Sequence, residues 1–253
     1  MSPKPTQVEH VFPSADVLPE NLLRFYVSFS NPMQRGRAAK QINILDLDGR
    51  PAPDVLYRPP VELWDKRMAQ LTVLLDPGRL KRWVGPHREL GPPLRAGQTY
   101  TLVVGSGMVD ESGHPLSRNF EKPFGVAAAI REPVAVADWK ILPPAANRRQ
   151  ALTIEFPIPL DWAMLWHAIT IATEDGDPID GQIAIDQGER RWRFIPASPW
   201  VAGLYAIRVA ANLEDVCGNN LLGAFDRPLR SEGDLAREEK SHVIFFRVEK
   251  SKA

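Results

Sequence analysis

The feature that most constrains the fold is an internal duplication: the second half of the chain repeats the pattern of the first. Phe25–Met33 matches Leu152–Leu160, and the register then continues without a gap. After an interruption the match resumes at paired positions, namely Tyr100 with Tyr205, Asp110 with Asp215, Gly113 with Gly218, Leu116 with Leu221 and Phe120 with Phe225. A spacing of about 127 residues is too long for a solenoid repeat and is typical of two tandem domains.

Short apolar segments bounded by proline and glycine predict strands in both halves. Arg24–Phe29 and Ile42–Leu45 are rich in β-branched and aromatic residues, as are Leu152–Phe156 and Ile169–Ile171. The Asp-Gly that follows each second segment supplies the positive backbone φ of a hairpin turn. We expect Ile183–Ile185 to be a strand returning from the later turn. Several short strands separated by turn signals predict a β-sandwich in each half.

Helical patterns are scarce. Val61–Gln70 and Asp161–His167 are amphipathic, and each is expected to form a short turn of helix. Trp162 and Trp166 lie in the second of these segments. Their near-helical spacing favours core packing, whereas an exposed pair could line a carbohydrate groove.

The boundary between the halves falls near Ala127-Ala128-Ala129. Val134–Leu142 then corresponds to Val8–Phe12 as the opening strand of its half. We therefore predict an all-β chain of two tandem Ig-like sandwiches, residues 1–127 and 128–253, with short helical turns in the loops.

The order of these motifs resembles the bacterial Ig-like domain first described in S-layer proteins. The first half has Phe29-Ser30-Asn31-Pro32-Met33, Tyr100-Thr101-Leu102 and Asp110-Glu111-Ser112-Gly113-His114-Pro115-Leu116; the second has Phe156-Pro157-Ile158-Pro159-Leu160, Tyr205-Ala206-Ile207 and Asp215-Val216-Cys217-Gly218-Asn219-Asn220-Leu221. The resemblance spans nearly all of both halves. It implies extracellular spacers, stalks or binding modules of bacterial surface proteins, without catalytic residues.

Composition narrows the classes of partner. Lys plus Arg and Asp plus Glu both number 31, so no net field attracts nucleic acid, and no nucleic-acid partner is expected. Cys217 is the only cysteine, which excludes an internal disulfide. No apolar stretch is long enough for a transmembrane segment, and Met1–Pro5 lacks a signal-peptide core. We expect an exported protein (periplasm, cell surface or extracellular), assuming that a leader precedes this sequence in the native protein.

The duplication breaks most clearly at Gly78–Pro93, which we call the basic segment; the second half crosses the same gap with Ala197–Ala202. The candidate binding residues of this segment are Arg79, Lys81, Arg82, Trp83, His87 and Arg88. Loops on a rigid sandwich often carry binding, and Arg and Trp are common hot-spot residues. The partner would be anionic: an acidic glycan, a phosphorylated ligand or an acidic protein patch. Alternatively, Leu80 and Trp83 pack on the sandwich and the charges only face water.

The repeated Asp-x-x-Gly and Tyr positions have structural interpretations. Asp110 and Asp215 offer too few oxygen ligands for a calcium loop and are expected to cap turns. Tyr100 and Tyr205 open equivalent strands, where a tyrosine corner hydrogen-bonds back to the main chain.

Motifs that carry chemistry are not evident. The five histidines lack metal-ligand spacing, and neither a Gly-x-Ser-x-Gly elbow nor a Walker loop is present. We therefore predict no catalytic residue, metal or cofactor. The first hypothesis is a non-catalytic envelope or secreted interaction or spacer protein that binds an unknown protein or an anionic glycan. Alternatives are a hydrolase with a site at the domain junction or under the basic segment, and an oligomer or surface layer assembled through sheet edges. The oligomeric state stays open.

Overall fold

The computed structural model describes residues 5–52, 54–59, 61–82, 85–226 and 241–250. The chain divides into two compact units, Met1–Ile130 and Arg131–Ala253. Each unit is built from its own half of the duplicated sequence.

The first unit consists of two β-sheets. Its strands are β1 (Val8–Phe12), β2 (Val17–Pro19), β3 (Arg24–Phe29), β4 (Ile42–Leu45), β5 (Leu63–Trp64), β6 (Gln70–Leu74), β7 (Thr99–Val104) and β8 (Phe120–Ala127). One sheet has the order β1-β3-β6-β5 and the other β2-β8-β7-β4. Neighbouring strands are antiparallel, apart from β2 and β8, which are parallel.

The two sheets of the first unit face each other across an apolar core. In β7 the side chains of Tyr100, Leu102 and Val104 are buried and those between them are more exposed. This alternation is typical of a strand with one face on a core. Phe25 of β3 packs edge-on against Phe124 of β8, with ring centroids 5.5 Å apart. The sheets therefore meet through their inner faces, as in a β-sandwich.

The second unit is also a sandwich. Its strands are β9 (Lys140–Leu142), β10 (Leu152–Glu155), β11 (Ile169–Thr173), β12 (Gly181–Asp186), β13 (Arg191–Pro196), β14 (Gly203–Val209) and β15 (His242–Val248). The antiparallel sheets have the orders β12-β13-β10-β9 and β11-β14-β15. Ile154 and Trp192 of one sheet share a core with Ile171 and Ile207 of the other. The predicted all-β fold of Ig-like sandwiches with short helical turns is confirmed.

The matching motifs of the two halves meet in space in the same way. Met33 forms a β-bridge with Asp110, and its counterpart Leu160 forms one with Asp215. In each turn the Asp carbonyl accepts a hydrogen bond from the N–H of the glycine three residues later. The duplicated Pro-x and Asp-x-x-Gly motifs are therefore partners in folding.

The structure differs from the predicted elements at three places. The predicted opening strand Val134–Leu142 is a strand only over β9 (Lys140–Leu142), because Val136–Asp138 forms a 3-10 turn. Val61–Gln70 forms no helix along its described residues; it contains the edge strand β5, whose backbone pairs with β6. Trp64 of β5 packs on Phe29 at 5.6 Å between ring centroids. The predicted strand Ile183–Ile185 exists within β12, but it pairs with β13 of the opposite sheet because the chain changes sheets after the Asp-Gly turn.

The described helices are short: α1 (Ala38–Gln41), α2 (Pro77–Leu80), α3 (Gly85–Leu90) and the 3-10 turns Val136–Asp138 and Met164–Trp166. No described helix is both long and apolar enough to cross a membrane. The helical turn predicted in Asp161–His167 is confirmed. Trp166 has 45% of its surface exposed, however, so core packing is the wrong interpretation for this residue. Its ring packs edge-on against Trp162 at 5.8 Å.

Candidate functional site

The basic segment leaves the sandwich just after β6. Asp76 is the N-cap of α2: its carboxylate accepts a hydrogen bond from the N–H of Gly78 at 2.8 Å, and Pro77 follows at the first helical position. Both residue types are typical of helix starts. Leu80 at the end of α2 is only 4% exposed, so the segment is anchored in apolar surroundings.

Arg79 in α2 is buried, and main-chain carbonyl oxygens surround its guanidinium group. Nε donates to Gly91 at 3.0 Å, Nη1 donates to Asp54 at 2.7 Å, and Nη2 donates to Pro92 at 2.7 Å and to Leu90 at 3.4 Å. Three of these carbonyls lie at the C-terminal end of α3, where helical geometry leaves carbonyl groups without partners. Arg79 therefore caps α3 and ties it to the loop at Asp54.

His87 in α3 makes a second connection between the two helices. Its Nδ1 atom hydrogen-bonds to the main-chain carbonyl oxygen of Arg79. Because a carbonyl oxygen can only accept, Nδ1 must carry the hydrogen. Arg79 thus contacts α3 through both its side chain and its main chain.

The remaining candidate residues lie nearer the surface. Lys81 is half-buried, whereas Arg82 and Arg88 are exposed. Trp83 lies outside the described residues. The burial of Leu80 is what the alternative of a packed loop with solvated charges expected. What distinguishes that alternative from a binding face is what Lys81, Arg82 and Arg88 contact.

Arg79 thus differs from Lys81, Arg82 and Arg88, which lie nearer the surface. With 7% of its surface exposed and its donors directed at carbonyls, Arg79 is not a surface residue. Local sequence does not distinguish Arg79 from Arg82, because the Asp54 carbonyl that fixes Arg79 lies 25 residues away. Asp54 itself has a φ of 60°, a left-handed conformation that Asp tolerates better than most residues.

Asp110 and Asp215 cap the duplicated turns by accepting hydrogen bonds from main-chain N–H groups. The Thr6 hydroxyl donates to Asp110 at 2.6 Å and holds the pKa of that carboxyl below its ordinary value. Burial raises the pKa of Asp215 to about 6, against the opposing effect of N–H donors on Asn219 and Cys217. The predicted capping role is confirmed by these contacts.

Tyr205 forms the expected tyrosine corner. Its hydroxyl donates to the carbonyl oxygen of Val201 at 3.0 Å. Tyr100, at the equivalent position, is buried and stacks on Phe124 at 6.1 Å. Both tyrosines therefore belong to the packing of their sandwiches.

The remaining reactive groups are the lone cysteine and the candidate metal ligands. Cys217 is 1% exposed in the turn after Asp215. Among the described ranges of the chain, no group of three or more His, Cys, Asp or Glu side chains could hold a metal ion.

Comparison with known proteins gives only distant likenesses. No protein-family model matches the chain. No curated protein matches it either. A segment of native alpha-2-macroglobulin from Escherichia coli is similar at 10% identity and a TM-score of 0.31, covering 81% of this chain and 66% of that one.

Two further solved structures are similar to the same degree. The N-terminal part of the bacterial S-layer protein SbsC is 16% identical with a TM-score of 0.34, covering 81% of this chain and 41% of that one. The titin domains z1z2 are 11% identical with a TM-score of 0.23, covering both chains fully. The chain spans less than two thirds of the macroglobulin and S-layer chains. Likenesses this distant do not bear on function.

Proposed function

We propose that the protein is a non-catalytic interaction or spacer protein of a bacterial envelope, and that it binds an anionic glycan through the basic segment of its first unit. The envelope assignment rests on the motif resemblance to S-layer Ig-like domains. Lys81, Arg82 and Arg88 would contact the ligand, with Trp83 added from the sequence.

The observation that carries this proposal is the way the basic segment is held. Here Arg79 directs its guanidinium at four main-chain carbonyls, and Leu80 is buried at its side. Ordering a loop before binding lowers the entropy lost when a ligand arrives. Charged groups on such a loop suit sulfate and carboxylate groups of a glycan.

The test is binding of a fluorescein-labelled, heparin-derived hexasaccharide, measured by fluorescence anisotropy. Replacing Lys81, Arg82 and Arg88 together by Gln removes the three cationic contacts. Exposed ion pairs are individually weak, so we expect the three losses together to weaken binding roughly tenfold or more.

The matched control removes the same charge from the second unit. Arg148, Arg208 and Arg247 are exposed there, and replacing all three by Gln is expected to leave hexasaccharide binding close to wild type. Equal losses in both triple variants would show binding by overall charge and would contradict the proposal. A wild-type protein that binds poly-glutamate but not the hexasaccharide would replace the glycan with an acidic protein partner.

A further inference from the structure

We propose that Arg79 and His87 are positioning residues of the basic segment: they clamp α2 to α3 so that Lys81, Arg82 and Arg88 are presented in one fixed arrangement. This inference rests on the proposed function. It divides the basic side chains of the segment into a buried clamp and a surface set that contacts the ligand.

The clamp follows from the donor geometry of arginine. A guanidinium group has five N–H donors in a planar fork, so it can reach acceptors on several sides at once. Arg79 uses this fork to reach Asp54 on one side and Gly91 and Pro92 on the other, at 2.7 to 3.0 Å. A lysine at the same position has one nitrogen and cannot span these acceptors.

The second half of the clamp is the imidazole of His87. The hydrogen bond from Nδ1 to the Arg79 carbonyl joins the middle of α3 to α2. Since both the neutral imidazole with hydrogen on Nδ1 and the protonated imidazole can donate here, the contact does not require one charge state. Asn can place an N–H donor near the same point, whereas Leu cannot.

The buried guanidinium of Arg79 is compensated by hydrogen bonds to main-chain carbonyls. Arg79 is 7% exposed, and the acceptors of its guanidinium in the described part of the chain are main-chain carbonyls. Loss of this side chain would remove the donor shared by the carbonyl groups of Asp54, Leu90, Gly91 and Pro92. The order of the segment, and with it the arrangement of its outward charges, therefore depends on Arg79.

The test combines hydrogen exchange with ligand binding in Arg79→Lys and Arg118→Lys. The same chemical change is made at the buried arginine of the basic segment and at an exposed arginine of the same unit outside that segment. Reporter amides are those of Leu80, Lys81 and Gly91, which donate to main-chain carbonyls of Asp76, Pro77 and His87, respectively. In Arg79→Lys we expect roughly tenfold or more faster exchange at these amides, because charged hydrogen bonds are lost. Hexasaccharide binding should weaken with it. Arg118→Lys, which lies outside the basic segment, should change neither.

Each outcome decides the inference. Unchanged exchange and binding in Arg79→Lys would overturn the clamp. Faster exchange with unchanged binding would show that order is not needed, and weaker binding with unchanged exchange would make Arg79 a contact residue; both overturn it. Wild-type protein that binds no hexasaccharide would instead reject the proposed function and the inference with it.

A second pair of variants tests the inference independently, in case Arg79→Lys does not fold. His87→Leu removes the Nδ1 donor, and His87→Asn keeps one. We expect faster exchange and weaker binding in His87→Leu, with His87→Asn close to wild type. Equal behaviour of the two variants would overturn the role of His87.

Discussion

At the scale of single residues, Asp110 and Asp215 cap equivalent turns, but their pKa values are shifted in opposite directions. Asp110 accepts from the Thr6 hydroxyl, which favours the charged form. Asp215 lies fully buried, with Glu214 adding like charge, so its neutral form is favoured. Carboxyl groups in equivalent turns can thus differ in pKa through hydrogen bonding, burial and neighbouring charge.

The raised pKa of Asp215 predicts a pH-dependent stability. The folded state holds the proton up to pH values near 6, whereas the unfolded carboxyl loses it near 3.8. The free energy of unfolding should therefore rise as the pH falls from 7.5 to 5, by about 1 kcal/mol from this group. Urea unfolding of wild type and Asp215→Asn across this range measures it. The difference between the two proteins should change with pH, and a constant difference would contradict the assignment.

At the scale of elements, most strands could be predicted from the sequence because one face of each is buried. Arg24–Phe29 and Ile42–Leu45 form β3 and β4 with the predicted bounds. The short strand β5 was not predictable, since two residues carry no periodic pattern and its pairing depends on β6. The sheet to which β12 belongs was not predictable either, because its neighbour β13 is placed by pairing with β10, which is distant in sequence.

The two Asp-Gly turns allow a matched test at this scale. Gly49 has a φ of 75° and Gly176 a φ of 98°, a region that side chains disfavour. Replacing either by Ala is expected to cost about 1 kcal/mol of unfolding free energy. At Gly176 the new Cβ would also approach the Arg208 side chain, which is flexible enough to move.

Gly203 serves as the control for these substitutions. A Cβ there would meet no atom within 4 Å, and its φ is not left-handed. Gly203→Ala should therefore be neutral or slightly stabilising. Thermal unfolding monitored by circular dichroism ranks the three variants, and an equal cost at all three would contradict the turn assignment.

The position of the basic segment is evident in the sequence, but its internal contacts are not. The residue types and the position of the insertion were evident, because the second half has a short connection in its place. The burial of Arg79 was not evident from the sequence, because its acceptors at Asp54 and Pro92 are brought together only by folding. The sequence around Arg79 in α2 does not indicate that this charged residue is buried.

At the scale of the whole molecule, matching and differing parts have different uses. The matching motifs, such as the bridges Met33–Asp110 and Leu160–Asp215, stabilise each sandwich in the same way. The difference between the copies adds α2 and α3 to the first unit. Two similar frameworks with one elaborated loop are what we expect of a binding protein whose function resides outside the shared framework.

The most direct test of this account replaces residues 78–93 by the sequence of Ala197–Ala202, which makes the equivalent connection in the second unit. The swapped protein should stay folded, shown by an unchanged β-sheet circular dichroism spectrum and a cooperative thermal transition. We expect it to lose binding of the labelled hexasaccharide. A folded swapped protein that binds the hexasaccharide as tightly as wild type would contradict the claim that function lies in the basic segment.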